Sequence, residues 1–129
     1  MSWPVVYYRG SDGSEPVNDA IDLLPPRAQA AIDNQIERLE LFGPALGFPH
    51  TSQLEGELRE LRCHYGRDHY RILYRRSRNI FLLLHFVAKR TARLPADDMM
   101  IAQERWEDFV CRMNELPRRG PRAAGHDAP

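Results

Sequence analysis

Lysine is almost missing from this chain of 129 residues: of its 18 basic side chains, all but Lys89 are arginine. Cysteine is as scarce, and two thiols, Cys63 and Cys111, are too few for a disulfide framework or a zinc site. The longest apolar run, Ile80–Leu84, is five residues, against the roughly 18–20 that a membrane-spanning helix needs. Met1-Ser2-Trp3-Pro4 lacks a basic segment followed by an apolar one, so the expectation is a cytoplasmic protein with reduced thiols and no membrane contact. Common enzyme signatures are missing too. No glycine-rich phosphate loop, G-x-S-x-G, H-E-x-x-H or metal-spaced cysteine pair occurs. The five histidines (His50, His64, His69, His85, His126) are scattered, and the carboxylates concentrate where helices are expected. Hydrolysis by a metal or by paired carboxylates therefore has no support, and no cofactor or metal is expected.

Net charge is also zero, which as a total argues against a nucleic-acid partner. Its distribution argues the other way. Residues 1–53 carry three Arg against seven acids, and residues 94–129 five Arg against seven acids. Residues 54–93 carry ten cations against four acids, Glu55, Glu57, Glu60 and Asp68, a local net of +6. Salt screens fields beyond about 8–10 Å, so this basic middle third acts locally whatever the sum.

The 43% apolar fraction and the length suit one globular domain. Residues 1–116 are expected to form it, and 117–129, rich in Arg, Pro and Ala, a disordered tail. Val5–Tyr8 is β-branched and aromatic and ends at Gly10-Ser11-Asp12-Gly13, which predicts a short strand and a turn. Asn18 is placed to cap a short helix that Pro25-Pro26 closes. A longer helix runs from about Pro26 to Phe42, with Ile32, Ile36 and Leu39 on one stripe and Gly43-Pro44 as its stop. Residues 43–53 read as a connection. Leu58–His64, Tyr70–Arg75 and Ile80–Ala88 then predict three strands joined by the turns Gly66-Arg67-Asp68 and Ser77-Arg78-Asn79. After Pro95 the apolar period returns to that of a helix, with Met99, Ala102, Trp106, Phe109 or Val110, and Met113 as a core stripe to about Leu116. The sum is an α+β domain: an N-terminal strand, a helical hairpin, an antiparallel sheet of three to four strands, and a C-terminal helix.

Cations fall on those strands. Alternation puts Leu58, Glu60, Arg62 and His64 on one face of the first, Arg71 follows Tyr70 on the second, and Leu83, His85, Val87 and Lys89 share a face of the third. Arg90 and Arg93 lie just past the strand end. A guanidinium or ammonium aimed into a dry core is very costly unless paired. Either that face is open to water, with the cations merely solubilising the sheet, or the cations meet an anion. His85 alone reads equally as a strand histidine with its hydrogen bonds satisfied.

Leu54-x-Gly56-x-Leu58-x-Glu60-Leu61-Arg62, then Tyr70-Arg71-Ile72-Leu73-Tyr74, then Leu82-Leu83-Leu84-His85-Phe86-x-x-Lys89-Arg90-Thr91, and Pro95 leading a helix with Ala102, resemble the RelE/HigB superfamily of bacterial type II toxins. The HigB-like branch, with its LLH-F-KK-T segment, is the nearest match. The resemblance covers roughly Val5 to Leu116 and implies a RelE-like fold. It implies a ribosome-dependent mRNA endonuclease that needs no metal, inhibits translation, and is held inactive by a co-transcribed antitoxin with a helix-turn-helix domain. Its partners are then that antitoxin, the ribosome and mRNA. Attack by a 2′-hydroxyl requires removal of its proton, charge stabilisation on the phosphate and protonation of the leaving 5′-oxygen. Arg stays protonated and suits the phosphate, while Lys and His move protons. Arg62, Arg71 and Arg90 are therefore assigned to phosphate, Lys89 and His85 to proton transfer, and Arg59, Arg67 and Arg93 to further RNA contact. Asp97 and Asp98 also stand as acid–base candidates, although a helix N-terminus favours acids for structural reasons alone. Two other readings remain open: a ParE-like toxin that binds gyrase on the same fold, and a non-catalytic binding module or degenerate toxin.

Overall fold

A computed structural model describes residues 2–88 and 95–115. In chain order these form β1 (Val5–Tyr7), α1 (Pro16–Asp22), α2 (Pro26–Phe42), a 3₁₀ turn (Gly43–Ala45), β2 (Thr51–Glu55), β3 (Leu58–Tyr65), β4 (Asp68–Ser77), β5 (Ile80–Val87) and α3 (Ala96–Glu115). The strands make one sheet in the order β1-β5-β4-β3-β2. β1 joins β5 in parallel and the remaining pairs are antiparallel. This is the expected α+β architecture, and no described helix is long and apolar enough to cross a membrane. Lys89, Arg90, Arg93 and the tail from residue 117 lie outside the described residues.

Each face of the sheet carries its own core. On one, Val5, Tyr7, Leu61, Ile72, Tyr74 and Leu83 meet Val17 and Ile21 of α1 and Ala28, Ile32, Ile36 and Leu39 of α2. On the other, Val6, Leu58, Leu73, Leu82, Leu84 and Val87 meet Ala102 and Phe109 of α3, with Met99, Trp106 and Met113 packed alongside. Of the two alternatives for the α3 stripe, Phe109 is the buried one and Val110 is exposed. Double coverage explains why Ile80–Leu84 is unbroken: all five side chains are buried. α2 begins with Pro26 at its first turn and ends at Gly43, whose φ is 55° and whose N–H donates to Leu39 O. A side chain there is excluded twice, by the left-handed backbone and by the Trp3 ring 2.5 Å from where a Cβ would sit.

Three local expectations are corrected. α1 starts at Pro16, three residues early, so Asn18 lies inside the helix and its amide donates to Glu15 Oε1 at 3.3 Å instead of capping. Residues 51–55, read as connection, form the edge strand β2 and raise the count to five. Only Leu54 there is strongly apolar, and buried Thr51 is satisfied by donating its hydroxyl to Leu46 O at 2.8 Å, so no hydrophobic alternation marks the strand. The third correction is a bulge in β5. Tyr74 pairs with Leu83 but Leu73 pairs with His85, leaving Leu84 as the extra residue. Leu83 therefore faces the α1/α2 layer, while Leu84, His85 and Val87 face α3.

Burial pushes the Cys63 thiol up to about 12. It also carries the Tyr7 phenol to about 12, with help from Asp33 and Asp22. Both groups are held neutral, so their stabilising contribution is whole below the unfolded-chain values of 9.0 and 10.0 and is lost as pH rises toward 12. Chemical denaturation against pH is expected to show stability falling from about pH 9, and Cys63→Ala should delay the onset toward the tyrosine value.

Candidate nucleic-acid interface

The hairpin β3–β4 sets the site. Tyr65 pairs with Asp68 across the two-residue turn Gly66-Arg67, with Gly66 at φ 62° as such a turn requires at its first position. That register places Arg62 directly opposite Arg71 and His64 opposite His69, and Arg71 next to Val87 of β5. By alternation all four polar side chains lie on the α3 side of the sheet. Like charges facing each other across two strands are destabilising. The chain offsets them with one carboxylate two residues back on the same face. Glu60 is buried, accepts a hydrogen bond from Ser52 Oγ at 2.9 Å, and stands 3.4 Å from Arg71 Nε and 4.0 Å from Arg62 Nε. Its Oε2, the atom nearest Arg71, accepts no hydrogen bond. Glu60 lies against both guanidiniums, and Arg62 is the more open of the two, its side chain 43% exposed against 14% for Arg71. Phe48, strongly exposed, lies under the Arg62 guanidinium at 5.6 Å.

His85 sits differently from expectation. Its Nε2 is 2.7 Å from Asp98 Oδ1 in the first turn of α3, and its Nδ1 is 3.2 Å from Arg105 Nη1. Arg105 only donates, so Nδ1 accepts and the ring proton rests on Nε2, shared with Asp98. The same Arg105 Nη1 donates to Leu84 O at 2.8 Å, the carbonyl of the bulged residue. Burial lowers the Arg105 guanidinium from the usual arginine range. Both nitrogens of His85, the imidazole expected to move protons, are therefore engaged in docking α3 on β5. Asp98 is likewise drawn into this latch.

The remaining expected contacts divide. Arg67 lies in the exposed turn at the same end of the sheet as Arg62 and Arg71. Arg59 does not join them: odd positions of β3 face the α1/α2 layer, and its guanidinium donates to Thr51 Oγ1 at 3.1 Å. It lines an open cavity of about 580 Å³ with Arg76, Arg78 and Glu57 at the opposite end of the strand. Arg75 is held by Glu57 at 2.8 Å and by the Trp106 ring at 4.2 Å, and Arg76 stacks on Trp3 at 4.8 Å. The structure thus brings Arg62 and Arg71 together, with Arg67 at the same end of the sheet, and places Arg59 on the other face. Sequence reasoning missed Arg105, and it missed that His64 and His69 meet, their ring centroids 6.1 Å apart. The two-residue turn was the available signal, since it alone fixes that pairing.

Replacing Glu60 tests the charge arrangement with two opposite signs. Glu60→Gln should lower stability by about 1–3 kcal/mol, because it removes a charged partner from Arg71. It should also tighten binding of a polyanion such as heparin, measured by fluorescence anisotropy, most clearly at low salt.

No curated protein matches the chain. A family model for the phage-derived Gp49-like proteins (DUF891) matches residues 19–107, more than half of the chain, from within α1 to within α3. That span includes Glu60, Arg62, Arg71, His85, Asp98 and Arg105, and so the chain belongs to the phage-derived Gp49-like family, a RelE-like family associated with toxin–antitoxin systems.

Proposed function

We propose that this chain is the toxin of a type II toxin–antitoxin pair, a ribosome-dependent mRNA endonuclease of the RelE/HigB kind that works without a metal. The observation that carries the reading is the cross-strand pair Arg62–Arg71 held against the single buried carboxylate of Glu60. It supplies two guanidiniums at the end of the sheet where β5 leads on to Lys89 and Arg90. Charge-assisted, bidentate contact by guanidinium is the usual way to hold a phosphate and the charge it gains during reaction.

Cleavage forms a bond from the 2′-oxygen to phosphorus and breaks the bond from phosphorus to the 5′-oxygen. It leaves a cyclic phosphate and a 5′-hydroxyl. One group must take the 2′-proton and another must give a proton to the leaving oxygen. Lys89 remains a candidate for one of these steps. With His85 committed to α3, the exposed imidazoles of His64 and His69, on the same face as the arginine pair, replace it as candidates for the other. Arg62, Arg71 and Arg90 hold the phosphate, Arg67 and Arg93 extend the contact, and the cognate antitoxin silences the protein by covering this face.

Lys89→Ala is expected to fold normally and Arg71→Ala to stay folded with lowered stability, since it takes the nearer cation from buried Glu60, and both are expected to lose toxicity on induction. Loss of one charge-assisted phosphate contact should cost about 1.5–3 kcal/mol, and loss of a proton-transfer group roughly 10²–10⁴ in rate. Mapping of mRNA 5′ ends should show new cuts only where ribosomes are assembled. Growth arrest by both variants at wild-type expression would refute the assignment, and a fall in DNA synthesis before protein synthesis would point instead to a gyrase-directed toxin.

A further inference from the structure

Phe48 is 77% exposed, more than any other described aromatic side chain singled out as exposed, yet the turn that carries it is tightly tied. His50 N–H and Thr51 N–H donate to Gly47 O at 3.0 and 3.2 Å, and Arg62 N–H donates to His50 O at 2.8 Å. Thr51 Oγ1 donates to Leu46 O at 2.8 Å, and Arg38 Nη1 lies 3.1 Å from His50 Nδ1 and 2.7 Å from Gln35 Oε1. The ring is thus presented to water by a fixed backbone that is hydrogen-bonded to the very residue, Arg62, whose guanidinium lies over it at 5.6 Å.

A flat apolar ring beside a cation has the two parts that single-stranded RNA recognition uses: a face for a base and a donor for its phosphate. We propose that Phe48 is the stacking platform for one unpaired base of the RNA, while Arg62 takes the phosphate next to that base. The proposal rests on the RNA-binding reading of Arg62 and Arg71 and adds a positioning residue to it. Stacking accepts any base, because every base has a π face, and it demands an unpaired one, because only then is the face open. A protein partner would find here a lone ring bordered by positive charge. The other exposed apolar side chains nearby in sequence, Leu41 and Phe42, belong to the end of α2. Phe42 therefore serves as the control for a merely apolar surface.

The test uses the full chain on ribosomes programmed with a short mRNA, in versions with a single base removed at each position in turn. Phe48→Ala should raise KM by roughly 5- to 100-fold with kcat little changed, Phe48→Tyr should restore it, and Phe42→Ala should leave it as in the wild type. At one fixed position relative to the cut, base removal should weaken wild type by the same factor and leave Phe48→Ala no worse, since both changes delete one contact. Effects that add at every position, equal losses for Phe42→Ala and Phe48→Ala, or unchanged cleavage with lost antitoxin binding would overturn the proposal while the nuclease reading stands. A wild-type chain that cuts no RNA on ribosomes would bring down both, and Arg71→Ala tells the cases apart, because it must weaken cleavage whichever base is missing.

Discussion

Two guanidiniums facing one carboxylate is the constraint on which the basic face turns. Left alone, Arg62 and Arg71 would repel across adjacent strands, and Arg71, nearly buried, would lack a counter-charge. Glu60 relieves both problems at once, at the expense of placing a carboxylate below the surface, where only a hydroxyl and two cations satisfy it. A neutral total charge hides the cross-strand arginine pair, because the basic residues are concentrated in the middle third of the chain.

A second set of polar contacts keeps the opposite layer in place. α3 docks through its apolar stripe, but its position along the sheet is set by side chains that read the backbone. Arg105 reaches the bulge carbonyl of Leu84, Asp98 accepts a hydrogen bond from His85 Nε2, and Asp108 accepts both from Tyr8 Oη at 2.6 Å and from Arg112 at 2.8 Å. Arg112 also donates to Arg9 O. Burial and the Asp108 hydrogen bond raise the Tyr8 phenol above its usual range, so it stays a donor through neutral pH. The bulge is the hinge between the two sets. By inserting Leu84 it turns both Leu84 and His85 toward α3 and restores, at Val87, the face on which Arg71 lies.

Much of the fold could be read from the chain because its long elements are strongly periodic. Ile32, Ile36 and Leu39 mark α2, the stripe of Ala102 and Phe109 marks α3, and the unbroken Ile80–Leu84 marks a strand covered on both sides. What stayed hidden has physical reasons. β2 is an edge strand whose order comes from the hydroxyls and amides of Thr51, Ser52 and Gln53, not from apolar alternation. The bulge depends on a carbonyl met by a guanidinium twenty-one residues later, a contact no local pattern announces. At the site, Arg62 and Arg71 follow from alternation and a tight turn, whereas the departure of Arg59 to the other face was equally written in that alternation and was outweighed by its charge. His85 shows the limit most clearly: its residue type suits proton transfer, and only the positions of Asp98 and Arg105 reveal that both its nitrogens are spent on packing.

Taken together, the arginine pair Arg62 and Arg71, the exposed ring of Phe48 beside it and the imidazoles of His64 and His69 beyond it form one continuous face on a RelE-like scaffold. The most direct measurement of that claim follows the arginine Nε–Hε resonances by NMR as a short single-stranded oligoribonucleotide is added. The account predicts that the signals of Arg62 and Arg71 shift first and together, while those of Arg75 and Arg76, tied to Glu57 and to aromatic rings, stay in place. Shifts led by Arg59, Arg76 and Arg78 at the far end of the sheet, or no shift at the arginine pair at saturating RNA, would contradict it.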